Sequence, residues 1–489
     1  MDYVDQLCSS LAHHEIDRQD FIKRALRTGV GMATIGSLLK IYTGPDARAA
    51  AASLSSHDAA SGFNWKKYAG TTLHLHKSAH PYVNVLKKYL PDFTKLTGIK
   101  VTIDETAEEQ YFDKLKLGLS AKEPFDVFML GAYMSWEYGP AGYCEDISTY
   151  WKDPSKTSPD WDVNDFFPNV LKSDSWDGTP GDAPGTGNAH QWALPWGWEI
   201  NTLVYRRDLF QKHGIAVPRT YPEILIAAAK IKKAEPTIIP WLARGELSWD
   251  TIHPGYLSGF HSYGAVDFDQ HLKPKMNSPQ GVQFTEIFMN LIKNYGPPKG
   301  RWTGYGPFEI GAAMGAGQVA MFHDADLLGF FNDLPGASKI GGQKKMGWAP
   351  SPNAGGGNHG SNIWIWSLGL NSASKNKDAA WYFMQWVTSK NYLMRAAPLG
   401  HVDTTRKSVF NTSAYQSLLA SHPGFLSTFK EQSPQSKIFF TPQPLFINTT
   451  TKWAGALQDV YAGKTTVKVG LDNLASTIET QLSQNGISR

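Results

Sequence analysis

The sequence predicts an α/β protein of two lobes, and three observations carry that expectation. From Thr71 onward, apolar-rich strands alternate with amphipathic helices, the pattern of a parallel sheet covered on both faces. The chain has 489 residues, beyond the size at which a single core usually keeps growing. Hydrophobic residues make up 42% and charged residues 19%, values of a folded chain rather than a disordered or membrane-embedded one.

The first 62 residues are expected to form an export signal and a flexible lead. Asp17-Arg18-Gln19-Asp20-Phe21-Ile22-Lys23 precedes a weakly apolar stretch from Thr28 to Thr43, followed by Ala47-Arg48-Ala49. A charged patch, a modest apolar segment and a small-residue cleavage site are similar to a twin-arginine signal, with Gln19 where the second arginine belongs and Lys40 inside the apolar run. Ser53 to Gly62, small and polar, reads as the lead.

Beyond it, Thr72 to His76 reads as a strand, and Tyr82 to Leu96 as a helix stopped by Gly98. Ile99 to Ile103 is a second strand, Tyr111 to Ser120 a helix and Phe125 to Leu130 a third strand. Further on, Pro222 to Lys232 and Gln280 to Ile292 are apolar-faced helices, and Phe308 to Phe322 runs from helix into strand. Ser361 to Asn371 is strand-like, and Asp378 to Thr388 is a Trp-rich helix.

Composition narrows the function. A formal net charge of +3, with both signs interspersed, offers no basic stripe for a phosphate backbone, so nucleic acid is not expected as a partner. Cys8 and Cys144 are the two cysteines, and with Cys8 in the expected signal no internal disulfide or cysteine zinc site follows. No segment after the signal has the run of apolar residues that spans a bilayer. His74 and His76 share a strand face near His80, but no fourth ligand has matching spacing, so no metal is expected. No cofactor fingerprint, Gly-x-Ser-x-Gly elbow or His-Glu-x-x-His pair is present, and no cofactor is expected.

Several segments, in order, resemble bacterial extracellular solute-binding proteins, the sugar-binding receptors of ABC importers. Phe93-Thr-Lys-Leu-Thr-Gly-Ile-Lys-Val101 is similar to that family's helix-to-strand junction. Ala193-Leu-Pro-Trp-Gly-Trp-Glu199, continuing to Ile215, resembles its first crossover segment; Phe308 to Phe322 resembles the segment that ends at its ligand cleft; Pro398-Leu-Gly-His401 resembles its third crossover. The resemblance implies a periplasmic-binding-protein-like fold, two α/β lobes joined by a multi-strand hinge with a ligand cleft between them. The first lobe is then 63–197 plus 362–400 and the second 198–361 plus 401–489, with crossings near Trp196 to Glu199, Gly360 to Ile363 and Leu399 to Val402.

The same resemblance orders the candidate ligand-binding residues. Glu199 stands where maltose-type relatives place a carboxylate on sugar hydroxyls; an ionised carboxylate accepts from two hydroxyls, which suits vicinal diols. Trp196 and Trp198 bracket Gly197 in what reads as a turn, and flat aromatic faces suit the C–H faces of a sugar ring. Tyr133 and Trp136 follow the third strand, at the carboxyl end where ligands collect in open parallel sheets, and Ser78 and His80 lie in the first strand-to-helix loop. Trp249 and Asp250 lie in a second-lobe loop where relatives place a stacking aromatic. His323-Asp324-Ala325-Asp326 follows the apolar strand Val319 to Phe322; Asp324 is favoured for hydroxyl recognition over a glycosidase pairing of Asp324 with Asp326. The glycine run Gly355 to Gly360 leads to Asn362, expected to lend amide groups to ligand oxygens.

The resulting expectation is a monomeric, non-catalytic receptor, exported to the periplasm, that closes its hinge on a carbohydrate or polyol and delivers it to the permease subunits of an ABC importer. A secreted carbohydrate-active enzyme, or a polyamine or metal receptor on the same fold, is the competing expectation.

Overall fold

The structure, a computed structural model, describes residues 63–489 together with Asp20, Phe21, Lys23 and Arg24. Apart from those four residues, the expected export signal, with Gln19, Lys40 and Ala47 to Ala49, lies outside the described residues. The longer strands are β1 (Thr72–Ser78), β2 (Lys100–Thr106), β3 (Val127–Gly131), β4 (Leu194–Arg206), β5 (Met321–Ala325), β6 (Met346–Ala349) and β7 (Ile363–Leu370). The chain divides into two compact units. The first takes the chain up to Trp198 and Ile365–Leu418, and the second takes Glu199–Trp364 and Leu419–Arg489. The chain passes from one to the other inside β4, inside β7 and at Leu418–Leu419.

In the first unit, β1 pairs in parallel with β2 along its length and with β3 at Leu75↔Val127 and His76↔Phe128. Each parallel step is made through a helix, α1 (Pro81–Thr97) and α2 (Glu108–Ser120). The second part of β7 then adds to β3 in antiparallel register, Val127↔Leu370 to Gly131↔Trp366, so this sheet is mixed where the local sequence pattern predicts parallel strands.

The sequence of α1 explains both its ends. His80 is extended at the N-cap and accepts from the Tyr82 N–H, and Pro81 occupies the first turn, where its missing N–H costs nothing. Gly98, at φ 72, closes the helix by donating to the Thr94 carbonyl. A Cβ there would stand 2.7 Å from the Ala69 Cβ, so space as well as backbone conformation calls for glycine. Between the ends, Val83, Leu86 and Phe93 are fully buried, each contributing roughly 1.5–3 kcal/mol by leaving water.

In the second unit, the distal part of β4 pairs antiparallel with β5 (Asn201↔Ala325 to Tyr205↔Met321) and with β6 (Leu203↔Ala349 to Arg206↔Met346). Helices α3 (Tyr221–Ala234), α4 (Gly255–Ser262) and α5 (Pro279–Tyr295) build its core with Phe284, which lies 4.9 Å from Tyr221 and 5.5 Å from Tyr256. Thr220 and Glu223 cap α3 reciprocally, fixing its start one residue before the expected Pro222.

Three expectations are corrected. Trp196 to Glu199, read as a turn because Pro195 and Gly197 punctuate it, lies within the thirteen-residue strand β4, buried on both faces. Asp324 is inside β5, opposite Thr202, rather than beyond its end. The apolar residues before it first bridge in parallel to another segment, Ile239↔Val319, which moves the regular strand two residues onward. Residues 401–418, assigned from sequence to the second lobe, cluster with the first unit. Fully buried Arg406 anchors them there, donating to the carbonyls of Thr388 (2.5 Å) and Asp162 (2.7 Å) and pairing with Asp165 (3.4 Å).

Candidate functional site

The first unit brings His80 and Trp196 against Tyr82, just beyond Ser78 at the carboxyl end of β1. His80 accepts the Tyr82 N–H at Nδ1 (3.2 Å), and its ring lies 4.6 Å from that of Tyr82 and 4.9 Å from that of Trp366. Burial, with His401 nearby, pushes its pKa down to about 3, which keeps the accepting lone pair free of a proton. His401 stacks on Tyr82 at 3.9 Å and 13°, and stands edge-on to Trp196 at 5.0 Å. Its Nε2 donates to the Trp196 carbonyl (2.9 Å), and burial holds the ring neutral with a pKa near 3. That bond fixes the tautomer, so Nδ1 is an acceptor.

Three buried polar atoms of this cluster, Lys77 Nζ, Trp196 Nε1 and His401 Nδ1, find no hydrogen-bond partner among the described residues, and neither does Ser78 Oγ at the end of β1. Lys77 lies with Nζ 4.9 Å over the Trp196 ring, and burial drives its pKa well below the usual lysine range. The cluster thus presents unpartnered donors and acceptors beside aromatic faces, the chemistry that hydroxyl groups match.

The remaining first-unit candidates are placed differently. The Trp198 indole donates to the Thr404 carbonyl (3.0 Å), and its ring lies 5.8 Å from Phe167, so its N–H is already used. Tyr133 and Trp136 are buried and pack on one another at 5.3 Å, on the short helical turns Ala132–Met134 and Ser135–Tyr138.

The second unit builds its own polar cluster on Arg244. The guanidinium grips Asp324 bidentately, Nε to Oδ2 at 3.0 Å and Nη2 to Oδ1 at 2.7 Å, and reaches Asp250 Oδ2 at 2.8 Å and His253 Nε2 at 3.3 Å. All three side-chain partners and Arg244 itself are buried. Burial opposes the charge on Arg244, but Asp324 and Asp250 more than offset it, with Glu199 adding to the effect, and the guanidinium stays charged. The same charge, after burial, drives His253 neutral. Glu246 is raised to about 7, first by burial and then by the charge of Asp250, with Arg244 opposing.

Glu199 is buried beside this network, where its charge adds to those of Asp324 and Asp250 on Arg244. Trp249, on the turn Trp249–Thr251, stacks on Trp364 at 4.9 Å and 29°, which holds its ring in place. Asp326 starts the next helix and accepts from the Leu327 N–H (3.1 Å), whereas Asp324 is committed to Arg244, so the two carboxylates do not form an acid and nucleophile pair. Asn362 corrects the expectation placed on it. Its amide spends Nδ2 on the His253 carbonyl (2.7 Å) and Oδ1 on the Phe439 N–H (2.9 Å), fastening the chain ahead of β7.

Sequence reasoning passed over Lys77, His401 and the role of Arg244. For Lys77 the signal is present: Leu73, Leu75 and Lys77 share one strand face by alternation, which puts an amine on the core side. His401 carries no such local signal, since its partner lies 205 residues away, and for Arg244 the nearby Asp250 is a local partner while the bidentate one, Asp324, lies 80 residues away.

Comparison with known proteins agrees with this architecture. Residues 79–393 match the family model described as bacterial extracellular solute-binding protein. The chain is 37% identical over 408 residues, 82% of its length and 84% of the relative's, to the erythritol/L-threitol-binding protein of Mycolicibacterium smegmatis. It is 26% identical over 271 residues, 55% of its length and 57% of the relative's, to the mannitol-binding protein of Pseudomonas aeruginosa. An ABC transporter solute-binding protein of Agrobacterium vitis S4, solved with D-mannitol bound, superposes with a TM-score of 0.72 at 25% identity, over 85% of this chain and 99% of that one. A solute-binding protein of Agrobacterium radiobacter K84, solved with ribitol, shares the fold with a TM-score of 0.72 at 23% identity, over 84% of this chain and 98% of that one. On its sequence match and on its fold, the chain belongs to the bacterial extracellular solute-binding proteins.

Proposed function

We propose that this protein is the exported receptor of an ABC importer for a polyol, binding the ligand stoichiometrically and releasing it unaltered to the permease. The observation that carries the reading is the set of buried, unpartnered polar atoms of Trp196 and of Lys77 and His401 beside it. Each such atom costs roughly 1–3 kcal/mol while unmade, and a polyol, whose every hydroxyl both donates and accepts, recovers that cost on binding. A hydrocarbon ligand would leave the cost in place.

The names of the relatives, erythritol/L-threitol-binding and mannitol-binding, support an open-chain polyol over an oligosaccharide. Commitment of Asp324 to Arg244 supports binding without bond cleavage. We further propose that the receptor works as a monomer outside the cytoplasm, in keeping with its extracellular family.

Titration calorimetry of the purified protein with erythritol, ribitol, D-mannitol and maltose tests the reading. One-to-one binding of at least one alditol, in the micromolar range that corresponds to about −8 kcal/mol, is expected, with the ligand recovered unchanged. Binding of none of the alditols, or conversion of the ligand, overturns it.

A further inference from the structure

We infer that Lys77 is a ligand-reading residue, its ε-amine taking a hydroxyl of the bound polyol in a hydrogen bond at the end of β1 beside the face of Trp196. The inference rests on the polyol reading above and names a contact which that reading does not require.

Lys77 is the next-to-last residue of β1 and is fully buried. Its side chain continues the inward face set by Leu73 and Leu75, where an apolar residue would pack without polar cost. Its register partner on β2, Glu105, is engaged by Lys87 and so gives it no counter-charge. The neighbouring imidazoles of His80 and His401 are held neutral. A cation over an indole face gains something from the ring, but burial disfavours the cationic form, so Trp196 does not repay the amine's desolvation.

A group kept at a cost to the ligand-free fold points to a use outside that fold. Trp196 Nε1 and His401 Nδ1 lack partners at the same indole. An amine donates to a hydroxyl oxygen in either protonation state, and burial favours the form that can also accept. Lys77 Nζ, Trp196 Nε1 and His401 Nδ1 together offer more than one contact to a chain of adjacent hydroxyls.

The test compares wild type with K77M, by calorimetry against erythritol and D-mannitol and by thermal melting of the ligand-free proteins. Removal of an amine that serves the ligand weakens the dissociation constant about 10- to 100-fold, while the ligand-free variant melts at or above the wild-type temperature. Affinity within about twofold of wild type overturns the assignment but leaves the polyol reading intact. A variant that melts several degrees lower, or does not fold, marks Lys77 as structural and also overturns it. K77Q, which retains a donor and an acceptor in a shorter side chain, must fold and bind more tightly than K77M; equal loss in both counts against a hydrogen bond. If wild type binds neither alditol, the receptor reading for these ligands fails, and the Lys77 contact fails with it.

Discussion

Asp174 and Lys77 carry opposite ionisable chemistry into the first unit, and burial works against the charge of each. Asp174 is fully buried; Ser367 Oγ donates to its Oδ2 at 2.6 Å, yet burial outweighs that bond and raises its pKa to about 8. The folded protein therefore holds a proton there that the unfolded chain, with a pKa near 3.8, releases. Stability tied to Asp174 is full below the unfolded value and is lost as pH rises toward about 8, because over that interval the native state binds more protons than the unfolded one. In D174N the amide oxygen keeps the acceptor for Ser367 and removes the titration. Urea unfolding between about pH 5 and pH 8 is expected to give a flatter stability profile for D174N than for wild type. Parallel profiles would mean that Asp174 is ionised in the fold. The sequence makes part of this placement legible: Ser78 and His80 come at the end of a clearly alternating strand, Ser78 as its last residue and His80 as the N-cap of the helix that follows. It does not reveal Asp174 or His401, whose states are set by burial against residues nearly 200 or more positions away.

At the scale of the element, β4 shows why punctuation residues mislead. Pro195 and Gly197 read as a turn, but Pro195 is only the second residue of the strand, and Gly197 answers to close packing rather than to chain reversal. A Cβ on Gly197 would lie 2.4 Å from Tyr82 Cε2 and 3.0 Å from its Cζ and Oη. The Tyr82 ring has little room to yield, being fully buried and stacked on His401 at 3.9 Å. G197A is therefore expected to destabilise the protein by about 1–3 kcal/mol through overpacking. It should also weaken polyol binding, because the displaced ring is the one that supports His401 and Trp196. Chemical denaturation and calorimetry on the same preparation check both effects; unchanged stability would show that the ring moves freely. The helices α1 and α3 are legible nearly to the residue, since caps and glycine stops are local signals. The strands β4 and β5 are not, because register with distant partners sets where they begin.

At the scale of the whole molecule, the order of family-like segments in the sequence indicates a chain that passes between two bodies more than once, and the first two passages fall at Trp198–Glu199 and Trp364–Ile365. The third is less legible: Pro398 to His401 resembles a crossover, but the burial of Arg406 and the stacking of His401 keep the next seventeen residues with the first unit. The chain passes three times between units that are each compact by themselves, and in general such multiple passages let rigid parts bend about a hinge. A ligand shifts such an equilibrium only by binding one arrangement better than another. A polyol whose contacts differ between two arrangements of the chain would favour the one that it fits better. The expected outcome is a smaller radius of gyration by small-angle X-ray scattering once the protein is saturated with its alditol. An unchanged scattering curve, on a sample whose binding is verified by calorimetry, would reject ligand-driven closure while leaving polyol recognition standing.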